Sequence, residues 1–253
     1  MKCCKKVPAK LQTAFAMQQN KITILSTRPL SQTLITEAAA QGVEIDVQPF
    51  IETAVIQSEE VQQKVEQVLL QPAVVVFTSM NAVEAVAAYR NAAMPNWRIY
   101  CMGQTTQDLV KKYFGETSIE GIADNASELA QLLVDTAHVS KVIFFCGDQR
   151  RDELPDILKS NNIAVIEILV YHTIATPHAI NKPYDAVLFY SPSAVASFFS
   201  ANKPGEQTVL FAIGNTTAGA IKKHTANNII TGDKPGRENL AEKAISYFVN
   251  SER

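Results

Sequence analysis

Four short corners of this sequence carry the residues best suited to chemistry. In Val74–Val86 (VVVFTSMNAVEAV) and Ala186–Phe198 (AVLFYSPSAVASF), an apolar run leads through Phe77 or Phe189 to Ser79 or Ser191, with Asn81 or Ser193 two residues further on. In Ile99–Lys112 (IYCMGQTTQDLVKK) and Leu210–Lys223 (LFAIGNTTAGAIKK), an apolar run ends in a glycine and a polar residue, followed by Thr105-Thr106 or Thr216-Thr217. Serine, threonine and asparagine at the first turn of a helix accept hydrogen bonds from its backbone N–H groups, and one such cap stabilises a helix by about 1 kcal/mol. The same turn exposes unpaired N–H groups that hold anions, each helix end contributing about 0.3–1 kcal/mol and up to about 2 when partly buried. A single corner reads as a plain cap. Four corners of two types, each type used twice, read as a surface for a ligand with several carboxylates or phosphates.

Other chemistries leave no comparable trace. There is no GxxxxGK[ST] and no GxGxxG, so the usual nucleotide signatures are missing. His138, His172, His178 and His224 lack metal-ligand spacing, and no GxSxG or Cys/His pattern offers a covalent nucleophile. No metal is expected. Cys3, Cys4, Cys101 and Cys146 fit neither a disulfide framework nor a zinc site, and the last two stand in apolar runs that read as core strands. A net charge of -2, with lysine and arginine scattered, lacks the basic stripe that nucleic acid requires. An anionic ligand would therefore have to be held by local groups. No apolar stretch is long enough to cross a bilayer, and the cationic start MKCCKKVPAKLQTAFAMQQN lacks the apolar segment of a secretory signal, so a cytoplasmic protein is expected. Residues 1–20 read as an N-terminal extension or frayed helix.

The elements that must position these corners are written twice. Besides the two pairs above, Glu128-Leu129-Ala130 answers Asn239-Leu240-Ala241, and KITILSTRP (Lys21–Pro29) answers KVIFFCGDQ (Lys141–Gln149). These matches, in one order, define a duplicated unit at about 21–139 and 141–250. Short continuous apolar runs alternate with segments of helical periodicity, the pattern of parallel sheets covered by helices on both faces, so the class is α/β. Ile45–Thr53 and Val165–Thr176 differ: polar and apolar residues alternate and β-branched residues abound, predicting two longer, one-sided strands that could pair and link two lobes around a cleft. In an open α/β sheet the carboxyl ends of the strands form the ligand edge, and the four corners belong there.

Taken together, FTSMNAV (Phe77–Val83), GQTT (Gly103–Thr106), CGDQRRDELP (Cys146–Pro155), VYHT (Val170–Thr173), YSPSAV (Tyr190–Val195) and IGNTT (Ile213–Thr217) resemble the uroporphyrinogen-III synthase family, in order from about Ile22 to Phe248. The resemblance implies an enzyme without cofactor that closes the linear tetrapyrrole hydroxymethylbilane to uroporphyrinogen III, losing water and inverting ring D. It implies a discontinuous first domain (21–47 with 174–253), linker strands (48–54 and 165–173), a second domain (55–164), and a monomer. Its substrate carries eight carboxylates, the ligand that Ser79, Asn81, Thr105, Thr106, Ser191, Ser193, Asn215, Thr216 and Thr217 would grip. Within VYHT, Tyr171 corresponds to a linker tyrosine that faces the cleft, a candidate proton donor to the departing hydroxyl. Arg151 corresponds to an arginine after the Cys-Gly turn, a candidate carboxylate contact, whereas Arg28 matches no fixed motif. Met80 departs from the proline common in relatives. The alternative reading is a non-catalytic two-lobe binder of a small polyanion, or a scaffold that has kept the fold alone.

Overall fold

The computed structural model describes residues 21–90, 94–234 and 236–251; the expected N-terminal extension lies outside them. In chain order the first elements are β1 (Ile22–Ser26), α1 (Gln32–Ala40), β2 (Val43–Val47), β3 (Ile51–Val55), α2 (Glu59–Leu69), β4 (Ala73–Phe77), α3 (Met80–Ala88), β5 (Trp97–Met102), α4 (Gln104–Phe114) and β6 (Ile119–Ala123). There follow α5 (Ala126–Thr136), β7 (Lys141–Gly147), α6 (Glu153–Ser160), β8 (Ala164–Ala175), β9 (Ala186–Phe189), α7 (Pro192–Ala201), β10 (Val209–Ala212), α8 (Asn215–Lys222), β11 (Ile229–Thr231) and α9 (Arg237–Ser251). They fall into two compact units, one running to Phe50 and resuming at Thr176, the other Ile51–Ala175.

The first unit holds a parallel sheet in the order β11-β10-β9-β1-β2. Its central strands are apolar throughout because both faces are covered: β9 and β10 are buried at every position. Ile24, Leu188 and Phe211 point to one face with Leu34 of α1 and Leu240 and Ala244 of α9. Leu25, Val187, Phe189 and Leu210 point to the other, with Val195 and Phe198 of α7 and Ile221 of α8. Adjacent residues thus alternate between two cores, as a strand requires.

The second unit has the order β3-β8-β7-β4-β5-β6, parallel except for β3 against β8. On one face Val75, Phe77, Ile99 and Phe145 pack with α2, α3 and α4; on the other Val74, Val76, Tyr100 and Phe144 pack with α5 and α6. Cys101 and Cys146 are buried strand residues. Burial pushes both thiols up to about 11, which leaves them unreactive at neutral pH.

Read from one edge, β11-β10-β9-β1-β2 corresponds strand for strand to β6-β5-β4-β7-β8. The β1-α1-β2 segment of the first sequence repeat lies with β9–α9 of the second, and β7-α6-β8 of the second repeat lies with β4–α5 of the first. Each unit is therefore assembled from parts of both repeats.

Two expectations about the link are corrected. Ile45–Thr53 is not one strand: β2 stops at Val47 and β3 starts at Ile51. Pro49 offers no N–H to a ladder, and Phe50 turns inward, fully buried and edge-on to Phe198 with centroids 5.1 Å apart. The expected pairing exists between Ile51–Val55 and Tyr171–Ala175. However, the strands form no separate ribbon, since the first part of β8 runs parallel to β7 inside the six-stranded sheet.

On β2, Asp46 accepts from the Lys182 ammonium at 2.5 Å and from the Tyr184 hydroxyl at 2.6 Å. Lys182, then Tyr184, hold the Asp46 carboxyl below its ordinary 3.8. The resulting stability is present above the unfolded value and is lost as pH falls through the folded one. Acidification from about pH 5 to 3 should therefore cost Asp46→Asn less stability than the parent in urea titrations. Parallel losses in the two proteins would show that solvent screening cancels the pair.

Candidate active site

In each sheet two neighbouring strands send their connections in opposite directions. In the second unit β4 leads through α3 to β5 and β7 leads through α6 to β8, the two helices covering opposite faces. In the first unit β9 leads through α7 to β10 and β1 leads through α1 to β2, again on opposite faces. Where successive crossovers diverge, the loops beyond the strand ends part and leave a crevice, the usual ligand position of open α/β sheets.

At the crevice of the second unit, Ser79 caps α3, its side chain accepting from the Asn81 N–H at 3.2 Å. Tyr171, from β8, donates its hydroxyl to Ser79 Oγ at 3.2 Å. A bulge brings the ring there: Cys146 pairs with Leu169, but Gly147 pairs with Tyr171. Burial raises the Tyr171 phenol above its ordinary 10, partly offset by hydrogen bonding to Ser79 and Asn81. A phenol kept neutral in this way, at a strand-end crevice, can give a proton to a leaving group.

Around it, Asp148 accepts from the Thr173 N–H at 2.9 Å and faces His172 Nδ1 at 3.2 Å. Burial would raise its carboxyl, but the Thr173 bond and His172 outweigh that and hold it low. The two neighbouring arginines differ. Arg150 is engaged by Asp152 and Glu167, whereas Arg151 is exposed and makes no hydrogen bond or ion pair among the described residues.

The threonine corners are corrected in one respect. Helix α4 starts after Gly103, whose φ of 79° suits glycine and which brings no side-chain cap. Thr105 is exposed, but Thr106 turns into the core at 5 % exposure. In the first unit Gly214 precedes α8, Asn215 and Thr216 are exposed, and Thr217 is buried at 2 % exposure. A helix turns by about 100° per residue, so adjacent threonines cannot share a face. The more exposed residue of each pair is the first.

The remaining corner of the first unit has Ser191 as cap of α7, accepting from the Ala194 N–H at 3.1 Å, with Pro192 in the first turn and Ser193 half-buried. Beside it Tyr190 Oη lies 3.4 Å from Ser26 Oγ, and Ser26 donates to the Arg28 carbonyl at 2.6 Å. Burial pushes the Tyr190 phenol up to about 12. The crevices thus share a feature that the four corners alone do not express: a tyrosine and a serine hydroxyl brought together from segments far apart in the chain.

Residues 32–242, from the start of α1 into α9, match the family model described as uroporphyrinogen-III synthase HemD. This chain belongs to the uroporphyrinogen-III synthase family. It is 25% identical over 212 residues to the uroporphyrinogen-III synthase of Saccharomyces cerevisiae (strain ATCC 204508 / S288c), covering 68% of this chain and 75% of that one. Its fold is similar to a mutant uroporphyrinogen III synthase of the extremely thermophilic bacterium Thermus thermophilus, with TM-score 0.63 and 13% identity over 92% of this chain and all (100%) of that one. It is likewise similar to uroporphyrinogen-III synthetase of Helicobacter pylori 26695, with TM-score 0.63 and 18% identity over 89% and 99% of the two chains. The synthase match contains all four corners and Tyr171, and begins just after Ser26 and Arg28.

Sequence reasoning about the synthase corners missed Ser26, Gly147 and Asp148. Ser26 and Gly147 close apolar runs that read as core strands, and a hydroxyl or a missing side chain at such a position has no periodic signature. Tyr190 was visible, directly before Ser191 in YSPSAV, but its partner is on a strand far away in the chain.

Proposed function

We propose that this synthase grips carboxylates of its substrate at its strand-end corners and protonates the departing hydroxyl through Tyr171. The activity is that of the family: hydroxymethylbilane is closed to uroporphyrinogen III, with loss of water and inversion of ring D. The observation that carries the reading is the family match across 32–242, which spans the elements bearing the corners. It favours the synthase over a non-catalytic polyanion binder.

The chemistry asks little acid–base machinery of the protein. The bilane loses its hydroxyl readily and closes unaided to the uninverted isomer, so the enzyme's main task is to fold the chain toward the inverted product. Holding reacting atoms in place supplies that advantage, worth up to about 7–11 kcal/mol in favourable cases. The carboxylate contacts we assign are Ser79, Asn81, Thr105 and Arg151 in the second unit, and Ser191, Ser193, Asn215 and Thr216 in the first. Buried Thr106 and Thr217 serve by shaping the first turn of their helices. Backbone N–H groups at four helix starts hold anions without net positive charge, in keeping with the charge of -2. We further propose that the protein acts as a cytoplasmic monomer without a nucleic-acid partner. No helix of the described residues is long and apolar enough to cross a membrane.

Hydroxymethylbilane generated in situ, with the protein added, should yield isomer III after oxidation. Isomer I alone would overturn the reading. Thr105→Ala together with Thr216→Ala should weaken product binding by roughly thirtyfold, two exposed contacts to charged groups lost at about 1 kcal/mol each. Unchanged affinity, measured by calorimetric titration on protein with the parent melting temperature, would return both threonines to a local structural role.

A further inference from the structure

We infer that Gly147 is a positioning residue, whose missing side chain seats the Tyr171 ring so that its hydroxyl reaches Ser79; the inference rests on the proposed role of that hydroxyl. A Cβ at Gly147 would lie 2.3 Å from Cζ, 2.4 Å from Cε2 and 2.7 Å from Oη of Tyr171. No real Cβ sits so close to a ring, so with any other residue here the tyrosine must move. Backbone conformation does not demand this glycine, since Gly147 is absent from the positive-φ positions. Space does.

The seat is built from several parts. The bulge between Cys146 and Gly147 shifts the pairing so that Tyr171, not Val170, comes opposite the glycine. The Asp148 N–H then donates to the Tyr171 carbonyl at 3.3 Å, and the Asp148 carboxylate takes the Thr173 N–H at 2.9 Å, pinning the strand directly after the ring. With its backbone pinned and its ring laid over Gly147, Tyr171 presents Oη to Ser79 Oγ at 3.2 Å. Elsewhere in the same sheet, Gly121 is opposite Tyr100, and a Cβ there would lie 2.4 Å and 2.6 Å from two ring atoms. Tyr100 is buried and bonds Thr136 and Glu120. That pair is the same packing device away from the crevice, and it serves as a control.

The test uses protein labelled with 3-fluorotyrosine, in which the fluorine resonance absent from Tyr171→Phe identifies Tyr171. In Gly147→Ala that resonance should shift, and kcat should fall by on the order of tenfold or more toward the Tyr171→Phe level with KM little changed. Adding Gly147→Ala to Tyr171→Phe should cost no further kcat. Gly121→Ala should lower the melting temperature and leave kcat alone. An unmoved resonance, an unchanged kcat, or an equal loss in the Tyr171→Phe background would each overturn the inference. If Tyr171→Phe turned over like the parent, the hydroxyl's role would fail, and the fluorine shift would still decide separately whether Gly147 seats the ring. Should Gly147→Ala fail to fold, Gly147→Ala with Tyr171→Ala should recover folding; no recovery would rule the contact out.

Discussion

Tyr171→Phe is expected to lower the rate of isomer III formation by roughly 10²-fold, the low end of what a general acid contributes, while isomer III remains the enzymatic product. The effect stays at the low end because the bilane hydroxyl leaves unaided, and because folding of the chain is assigned to the corners rather than to this phenol. Loss should appear in kcat, at about 1.4 kcal/mol per tenfold, with KM nearly constant. Ser79 keeps its capping bond to the Asn81 N–H when the phenol oxygen is removed, so stability should change little. The pH behaviour has a definite sign. Burial raises the phenol above 10, so its proton is in place at neutral pH and is lost only as pH rises through that raised value; the assisted step should be flat below about 10. Initial rates of isomer III formation, corrected for spontaneous closure, measure this. A variant as fast as the parent would show that Tyr171 is a packed ring and no donor.

The second large effect concerns stability. Phe145 is fully buried on β7, the strand bonded to both β4 and β8. Its ring lies 5.5 Å from that of Phe77 and 5.8 Å from that of Trp97, and Phe114 continues the cluster at 5.4 Å from Trp97. Phe145→Ala removes the middle of this cluster and leaves a cavity, at a cost of about 3–5 kcal/mol, against a usual total of about 5–15. Trp97 is the one tryptophan of the chain, so its fluorescence reports on the second unit alone. Urea unfolding followed at Trp97 should show the midpoint lowered by roughly a third to a half. A loss below about 1 kcal/mol would mean that the neighbouring rings collapse into the space.

Much of the architecture was legible in the residues. Runs such as VVVF and AVLF are strands buried on both sides, and each corner stands at a helix start as its serine or glycine indicated. Leu129-Ala130 and Leu240-Ala241, matched across the repeat, are all buried on their helices. The stretch Ile45–Thr53 was misread because alternation of polar and apolar residues persists on both sides of Pro49, although Phe50 alone turns the chain inward. For the threonine pairs, residue type was readable but side-chain direction was not.

The legible features are local: apolar runs that must be covered, first turns that need capping and glycines before α4 and α8, all consequences of neighbours within a few residues, together with a duplicated order of such elements. Which strand lies beside which is settled by the folded sheets. The two repeats exchange their β-α-β segments between units, and a bulge at Gly147 carries Tyr171 to a serine 92 positions away. Such contacts depend on register and on close-packed space between distant segments, and periodicity along one segment carries no record of either.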